Sequence, residues 1–287
     1  MLYCSRTERF QTLINLIGII LFLPFLNQFS DFLEKRFVIK NKISAYFIDD
    51  ADNLFPEAAL EVLQKEVELF IFRVVLLNME VFRIDQFFVC KNDFLNEKLN
   101  SIHRKDLQHI EKYENVKHTE GEIISLYTKM SQEHLEKDEF LKFTQLVSAA
   151  RNAMYSAKCI KDIYNDRREL RESGQDTKFK YYELIQNQLK SFYLKLIEIP
   201  SFKENSTKFQ ELIKLNEQIQ TDYEGRTRLI YKQVSEKIVN EMDIATLLNV
   251  NREVYSSCKA IILAMKDYSL DSKQAENFED IPTLTIR

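Results

Sequence analysis

Four glycines and four prolines are all that the 287 residues contain. These residues supply most tight turns, and a fold of many short strands would need far more of them. The chain therefore reads as all-α, with long helices joined by few, short connections. Its 45% hydrophobic content is enough to bury at least one substantial core at this length. Lys and Arg number 40 against 44 Asp and Glu, giving a formal charge of -4 with both signs interspersed. There is no basic excess of the kind a nucleic-acid binder carries, so no nucleic-acid partner is expected. Cys4, Cys90, Cys159 and Cys258 are far apart and form no C-x-x-C pair. Neither a zinc site nor a disulfide framework is indicated, and a reducing compartment fits best.

Phe10 to Leu26 (FQTLINLIGIILFLPFL) is a run of 17 residues without a charge, flanked by Arg6 and Arg9 before it and by Asp31, Glu34, Lys35 and Arg36 after it. That length is at the short end for a membrane span. A secretory signal competes with this reading, but Asn27-Gln28-Phe29-Ser30 offers no small-x-small cleavage pattern. A buried helix of a soluble protein is the third possibility. Gln11, Asn15 and Gly18 stand at i, i+4 and i+7 and share one helical face. Small and hydrogen-bonding residues at that spacing suit packing against other membrane helices. Lys35, Arg36, Lys40 and Lys42 crowd the C-terminal end of the run, which places the remainder in the cytosol, beneath the cytoplasmic (inner) membrane. Membrane lipid is then a partner.

The run and its flank make a membrane-helix segment, 1–33, followed by a linker, 34–55. Pro56 suits the first turn of a helix, and Leu60, Leu63, Val67, Phe70, Ile71 and Val74 form a stripe of helical period. Leu69 to Leu77 is apolar enough to suggest a second span, but Glu66, Glu68 and Arg73 in or beside it favour a buried bundle helix. Further helices are expected near 104–134 and 138–170, completing a first three-helix bundle over 56–172. Helices near 177–198, 205–240 and 243–268 form a second over 173–268. The polar stretch 269–287 is assigned no structure.

The third helix of each set carries related segments, Arg151-Asn-Ala-Met-Tyr-Ser-Ala-Lys158 and Arg252-Glu-Val-Tyr-Ser-Ser-Cys-Lys259. The Arg-x6-Lys spacing alone arises by chance several times in so charged a chain. The shared Tyr-Ser and the matching place at the end of three helices make two related units the sensible inference.

Arg6 to Phe25 (RTERFQTLINLIGIILFLPF) resembles the last membrane helix of bacterial sodium/phosphate cotransporters, with Asn15 where that family has an asparagine. Residues 145–166 (QLVSAARNAMYSAKCIKDIYND), residues 243–267 (DIATLLNVNREVYSSCKAIILAMKD) and Pro56 to Glu68 resemble the PhoU-like domain that follows the transport core in those proteins. The resemblance implies two PhoU-like three-helix bundles and a link to phosphate uptake. It further implies partnership with the membrane helices of a transporter core, through which sodium and phosphate would pass. One span cannot form such a core, which needs inverted repeats of helices, so a truncated or split chain without transport activity alone is expected. Stand-alone PhoU proteins bind metal through acidic clusters. The matching positions here are Lys158 to Asp162 and Lys259 to Leu263, so no multinuclear metal site is expected.

Arg151, Lys158, Arg252 and Lys259 form a candidate anion-binding or regulatory face, weighed against a plainly solvated surface with pairs such as Lys158 with Asp162. Asp162 and Asp166 are too few carboxylates for a closed cation site. His103, Asp106 and His109 fan too far around a helix for chelation, and all four histidines are read as exposed. No Gly-rich phosphate loop, G-x-S-x-G or H-E-x-x-H occurs. A non-enzyme without cofactor is expected, either a regulatory domain of a phosphate transporter or a membrane-anchored scaffold for protein binding with no transport role.

Overall fold

Phe55 is extended and Pro56 follows at the first helical position, where its missing N–H costs nothing. This starts α1 (Pro56–Val81), the helix around which the others gather. The computed structural model describes residues 11, 14–21, 23–26, 28–29, 45–48, 55–85, 108–133, 135–174, 176–236 and 241–279. Among the described residues every regular element is helical: after α1 come α2 (His109–Met130), α3 (Lys137–Asp162), α4 (Tyr164–Glu172), α5 (Asp176–Leu196), a 3-10 turn Ile199–Ser201, α6 (Asn205–Ser235), α7 (Glu241–Ser269) and α8 (Ser272–Glu279). The chain divides into two units, Met1–Lys42 and Ile43–Arg287.

Every residue from Leu69 to Met79 is buried, so α1 is enclosed on all sides by α2, α3, α5 and α7. This agrees with a bundle helix rather than a second span. Its buried charges have partners in the fold. Arg73 Nη1 donates to Thr119 Oγ1 at 3.0 Å, while Glu66 Oε2 accepts the Phe47 amide at 2.7 Å. From α2, Glu122 Oε2 accepts the amide of buried Ala45 at 2.6 Å. Two carboxylates thus grip the main chain of the segment 45–48 that enters the unit. Burial raises the Glu66 pKa and lowers that of Arg73, and the attraction between them works against both shifts.

The longest seam in the unit joins α3 to α7, with α1 and α2 completing one set of three around α3, and α5 and α6 leading to α7 in the other. At its middle Ser156 Oγ and Ser257 Oγ are 2.8 Å apart, both buried and 101 positions apart in sequence. That is also the offset between Arg151 and Arg252. Around this pair the contacts are reciprocal. Ser148 Oγ donates to Asp267 Oδ2 at 2.7 Å, and Asn249 Nδ2 donates to Asp166 Oδ2 at 3.1 Å. Residue 249 lies 101 beyond 148, and 267 lies 101 beyond 166, so each hydrogen bond is the counterpart of the other about a local two-fold. Self-complementary contacts of this kind mark an isologous interface, here within one chain.

Two expectations need correction. The helix read as continuous over 138–170 is interrupted at Ile163, with φ -99° and ψ 11°, because this buried isoleucine ends α3 and turns the chain into α4. The tail expected to be unstructured holds α8, which buries Ala275 and Phe278 and sets the Phe278 ring edge-on to Phe209. Residues 280–287 lie outside the described residues. In the first unit, 14–21 is helical, but Pro24 lies in a 3-10 turn Leu23–Phe25. No helix among the described residues is long and apolar enough to cross a membrane. Most of the linker 34–55 also lies outside them.

The seam makes a quantitative demand. Ser156→Ala removes the acceptor of the Asn78 Nδ2 bond (3.0 Å) and the partner of Ser257 Oγ, and should destabilise the fold by about 1–3 kcal/mol. The double replacement with Ser257→Ala should cost less than the sum of the single ones, since the two hydroxyls share one bond. Urea denaturation of the three variants gives the coupling, and strict additivity would contradict the pairing.

Candidate functional site

The short helix α4 has the sequence YNDRRELRE, in which Arg167 and Arg171 stand at i and i+4. Like charges at that spacing repel. Its carboxylates do not relieve the repulsion equally. Asp166 is engaged by Asn249, Glu169 accepts from Lys178 at 3.1 Å, and only Glu172 pairs with an arginine of the helix, Arg171. The face bearing Arg167, Arg168 and Arg171 borders a half-open cleft of about 150 Å³, whose other walls are Glu80, Val81 and Arg83 at the end of α1, His109 at the start of α2, and Tyr164.

Arg83 reaches this cleft through an uncommon backbone. It has φ 53°, the left-handed conformation that normally falls to glycine at a helix end. The Ile84 amide donates to Met79 O and the Arg83 amide to Glu80 O, both at 2.9 Å, which closes α1 in a Schellman motif. From α5, Tyr182 Oη donates to Phe82 O at 3.0 Å and Gln186 Nε2 to the same oxygen at 2.7 Å, pinning the turn.

The opposite wall is a stack. The His109 ring lies flat on Tyr164, centroids 4.6 Å apart and planes within 5°, and the Arg167 guanidinium sits over Tyr164 at 4.9 Å. Arg167 is only 4% exposed, and its Nε has no hydrogen-bond partner. Burial, with neighbouring Arg171 adding to it, lowers its pKa. Glu80, the acid of the cleft, is bonded by Lys112 Nζ at 2.7 and 2.9 Å. Burial pushes the His109 pKa down to about 4, reinforced by Arg167 and Lys112 and opposed by Glu80. The imidazole is therefore neutral at neutral pH, and the cleft concentrates positive charge that its own residues only partly offset.

The residues singled out from sequence are not in this cleft. Arg151 and Lys158 are exposed on α3, and Arg252 is exposed on α7, where it donates to Asn249 Oδ1 at 2.9 Å and pairs with Glu253. Arg252 thereby steadies the asparagine that reaches Asp166. Lys259 is buried, so the four do not share one accessible basic surface. Gln11 and Asn15 are exposed and Gly18 partly so in the first unit. Not all the histidines are exposed: His109 is stacked and half-buried, and half-buried His118 lies 3.5 Å from Glu122, while His103 and His134 are outside the described residues. Among the described residues no three His, Cys, Asp or Glu side chains gather as metal ligands. Cys159 and Cys258 are buried thiols whose pKa is raised to about 12, mainly by burial, which suits packing rather than nucleophilic chemistry. No family model, curated protein or solved structure matches the chain.

Two outcomes test this geometry. Left-handed backbone costs a non-glycine residue about 1–2 kcal/mol, partly recovered against the greater freedom of an unfolded glycine. Arg83→Gly should therefore raise the denaturation midpoint by up to about 1 kcal/mol equivalent, and a clear loss of stability would contradict the assigned turn. His109 binds a proton in the unfolded chain below about 6.5 but resists it when folded. Its contribution to stability is complete above pH 6.5 and disappears as pH falls toward 4. His109→Phe keeps the stack on Tyr164 without the titration, so its stability should fall less than that of the native chain across that window in urea titrations.

Proposed function

We propose that this chain is a regulatory or structural helical domain held at the cytoplasmic membrane, working beside the membrane helices of a sodium-coupled phosphate transport core and catalysing no reaction itself. The observation that carries the reading is the reciprocal hydrogen bonding around the α3–α7 seam, where contacts repeat at an offset of 101 residues and so support two related halves. A paired three-helix architecture is what the resemblance to PhoU-like domains calls for. This link between fold and role is one of analogy. The N-terminal segment adds support of a different kind: Ile14, Leu16, Ile17, Ile19, Ile20 and Leu21 are all exposed, an apolar surface suited to lipid or to other membrane helices.

In this reading the N-terminal segment docks through Gln11, Asn15 and Gly18 onto a core made by another polypeptide, and the helical unit lies on the cytosolic side. Substrate and ion sites of secondary transporters form where repeated groups of helices meet, so they belong to the core. The chain alone should not move phosphate into vesicles. Sodium-dependent uptake should appear on co-expression with a transport core, and Asn15→Leu should reduce co-purification of the two. Uptake by the chain alone, or failure to fractionate with membranes, would refute the proposal.

A further inference from the structure

We propose that the cleft bounded by Arg83, Arg167, Arg168 and Arg171 is a binding site for one phosphate group, presented either as inorganic phosphate or as a monoester headgroup. The inference goes beyond the regulatory reading and stands on the cleft alone. Its first support is the gathering of charge. Four arginines from two separate stretches of chain converge in a protein whose formal charge is -4. Arg83, Arg167 and Arg171 all act electrostatically on the one phenol of Tyr182. The acid of the cleft, Glu80, is occupied by Lys112, and Asp166 and Glu169 of α4 are bonded to Asn249 and Lys178; only Glu172 offsets a cleft arginine, by pairing with Arg171.

The second support separates this cleft from an ordinary basic surface. Arg167 is almost wholly buried, yet its Nε–H is unbonded, a costly state for a guanidinium. The other buried arginines are provided for: Arg73 donates to Thr119, and Arg226 Nε donates to Asn251 Oδ1 at 2.6 Å. An oxyanion in the cleft would offset the charge of this buried guanidinium and the repulsion between Arg167 and Arg171. Guanidinium forks match the oxygens of a phosphate in pairs. Size limits the ligand. About 150 Å³ holds roughly five waters at ~30 Å³ each, enough for a hydrated phosphate group but below the usual range for drug-sized ligands. The left-handed Arg83 fits the same picture, since an unfavourable backbone is kept where it sets a cationic side chain on the rim.

The test uses the full chain in mild detergent, titrated calorimetrically with sodium phosphate at constant ionic strength and with sodium chloride as control. Flotation with phosphatidylcholine vesicles, with and without phosphatidic acid, runs in parallel. Arg83→Gly and Arg168→Gln change exposed side chains and should each weaken binding about tenfold, the value of a charge-assisted hydrogen bond. Arg151→Gln, outside the cleft, should leave it unchanged. Saturable binding of inorganic phosphate lost in the two cleft variants supports the site with free phosphate as ligand. Binding seen only as phosphatidic-acid-dependent flotation, lost in the same variants, supports it with a lipid headgroup as ligand. No binding in either arm, or binding indifferent to both cleft variants, overturns the proposal. Neither result depends on a transport core, so the cleft and the transporter reading fail or stand separately.

Discussion

The hydroxyl pair Ser156–Ser257 sets the terms for the rest of the helical unit. It lies where α3 meets α7, the seam on which both sets of helices depend, and it is fully buried. A group that meets its own counterpart across a two-fold must be able to act as donor on one side and acceptor on the other; here Ser257 Oγ donates to Ser156 O and so accepts from Ser156 Oγ. Serine does both, whereas a carboxylate pair or an ammonium pair there would repel. Fixing this pair fixes the register of the seam, and with it the reciprocal contacts from Ser148 to Asp267 and from Asn249 to Asp166. The second of these holds α4 in place, because Asp166 belongs to that helix. The basic cleft is therefore a downstream result of the seam: the bond that completes the symmetry also helps direct Arg167, Arg168 and Arg171 toward the end of α1.

The symmetry breaks at that cleft. In one half, α3 is interrupted at Ile163 and α4 carries three arginines. In the other, α7 runs on through Asp267 and ends in Ser269. The positions 101 residues beyond Arg167 and Arg168 are Tyr268 and Ser269, so the charge cluster has no copy in the second half. Two related sets of helices thus supply a common frame, and one of them has been fitted with a distinctive cationic surface.

The frame was legible in the sequence. Scarce Gly and Pro announced helices, the apolar stripe of α1 marked a core helix, and the Arg-x6-Lys segments carried the offset on which Ser156 and Ser257 meet. Their chemistry was less legible. The basic ends of those segments drew attention as an anion face, yet Lys259 is buried and Arg252 braces Asn249. The arginines of α4 are adjacent in sequence, but no Gly or Pro signals the break at Ile163, so they read as the end of one long helix. Arg83 and His109 join them only through tertiary packing, and a left-handed arginine has no local signal where glycine is absent. In the tail, charged neighbours masked the Ala275 and Phe278 pair that anchors α8.

The grip on residues 45–48 has a consequence for how freely that segment can vary. Glu122 and Glu66 hold the amides of Ala45 and Phe47, groups that every amino acid except proline possesses. Attachment through main-chain nitrogen is indifferent to most side-chain changes at the positions it holds. Ala45 is limited by the lack of space around it, Phe47 and Ile48 pack partly buried against the core, and the exposed Tyr46 ring lies edge-on to Phe47, so side chains share in the join. The main-chain part of the grip rests on two distant glutamates, one on α1 and one on α2. A change at either glutamate would therefore loosen a segment far from it in sequence, so the connection is kept by its anchors as well as by its own residues.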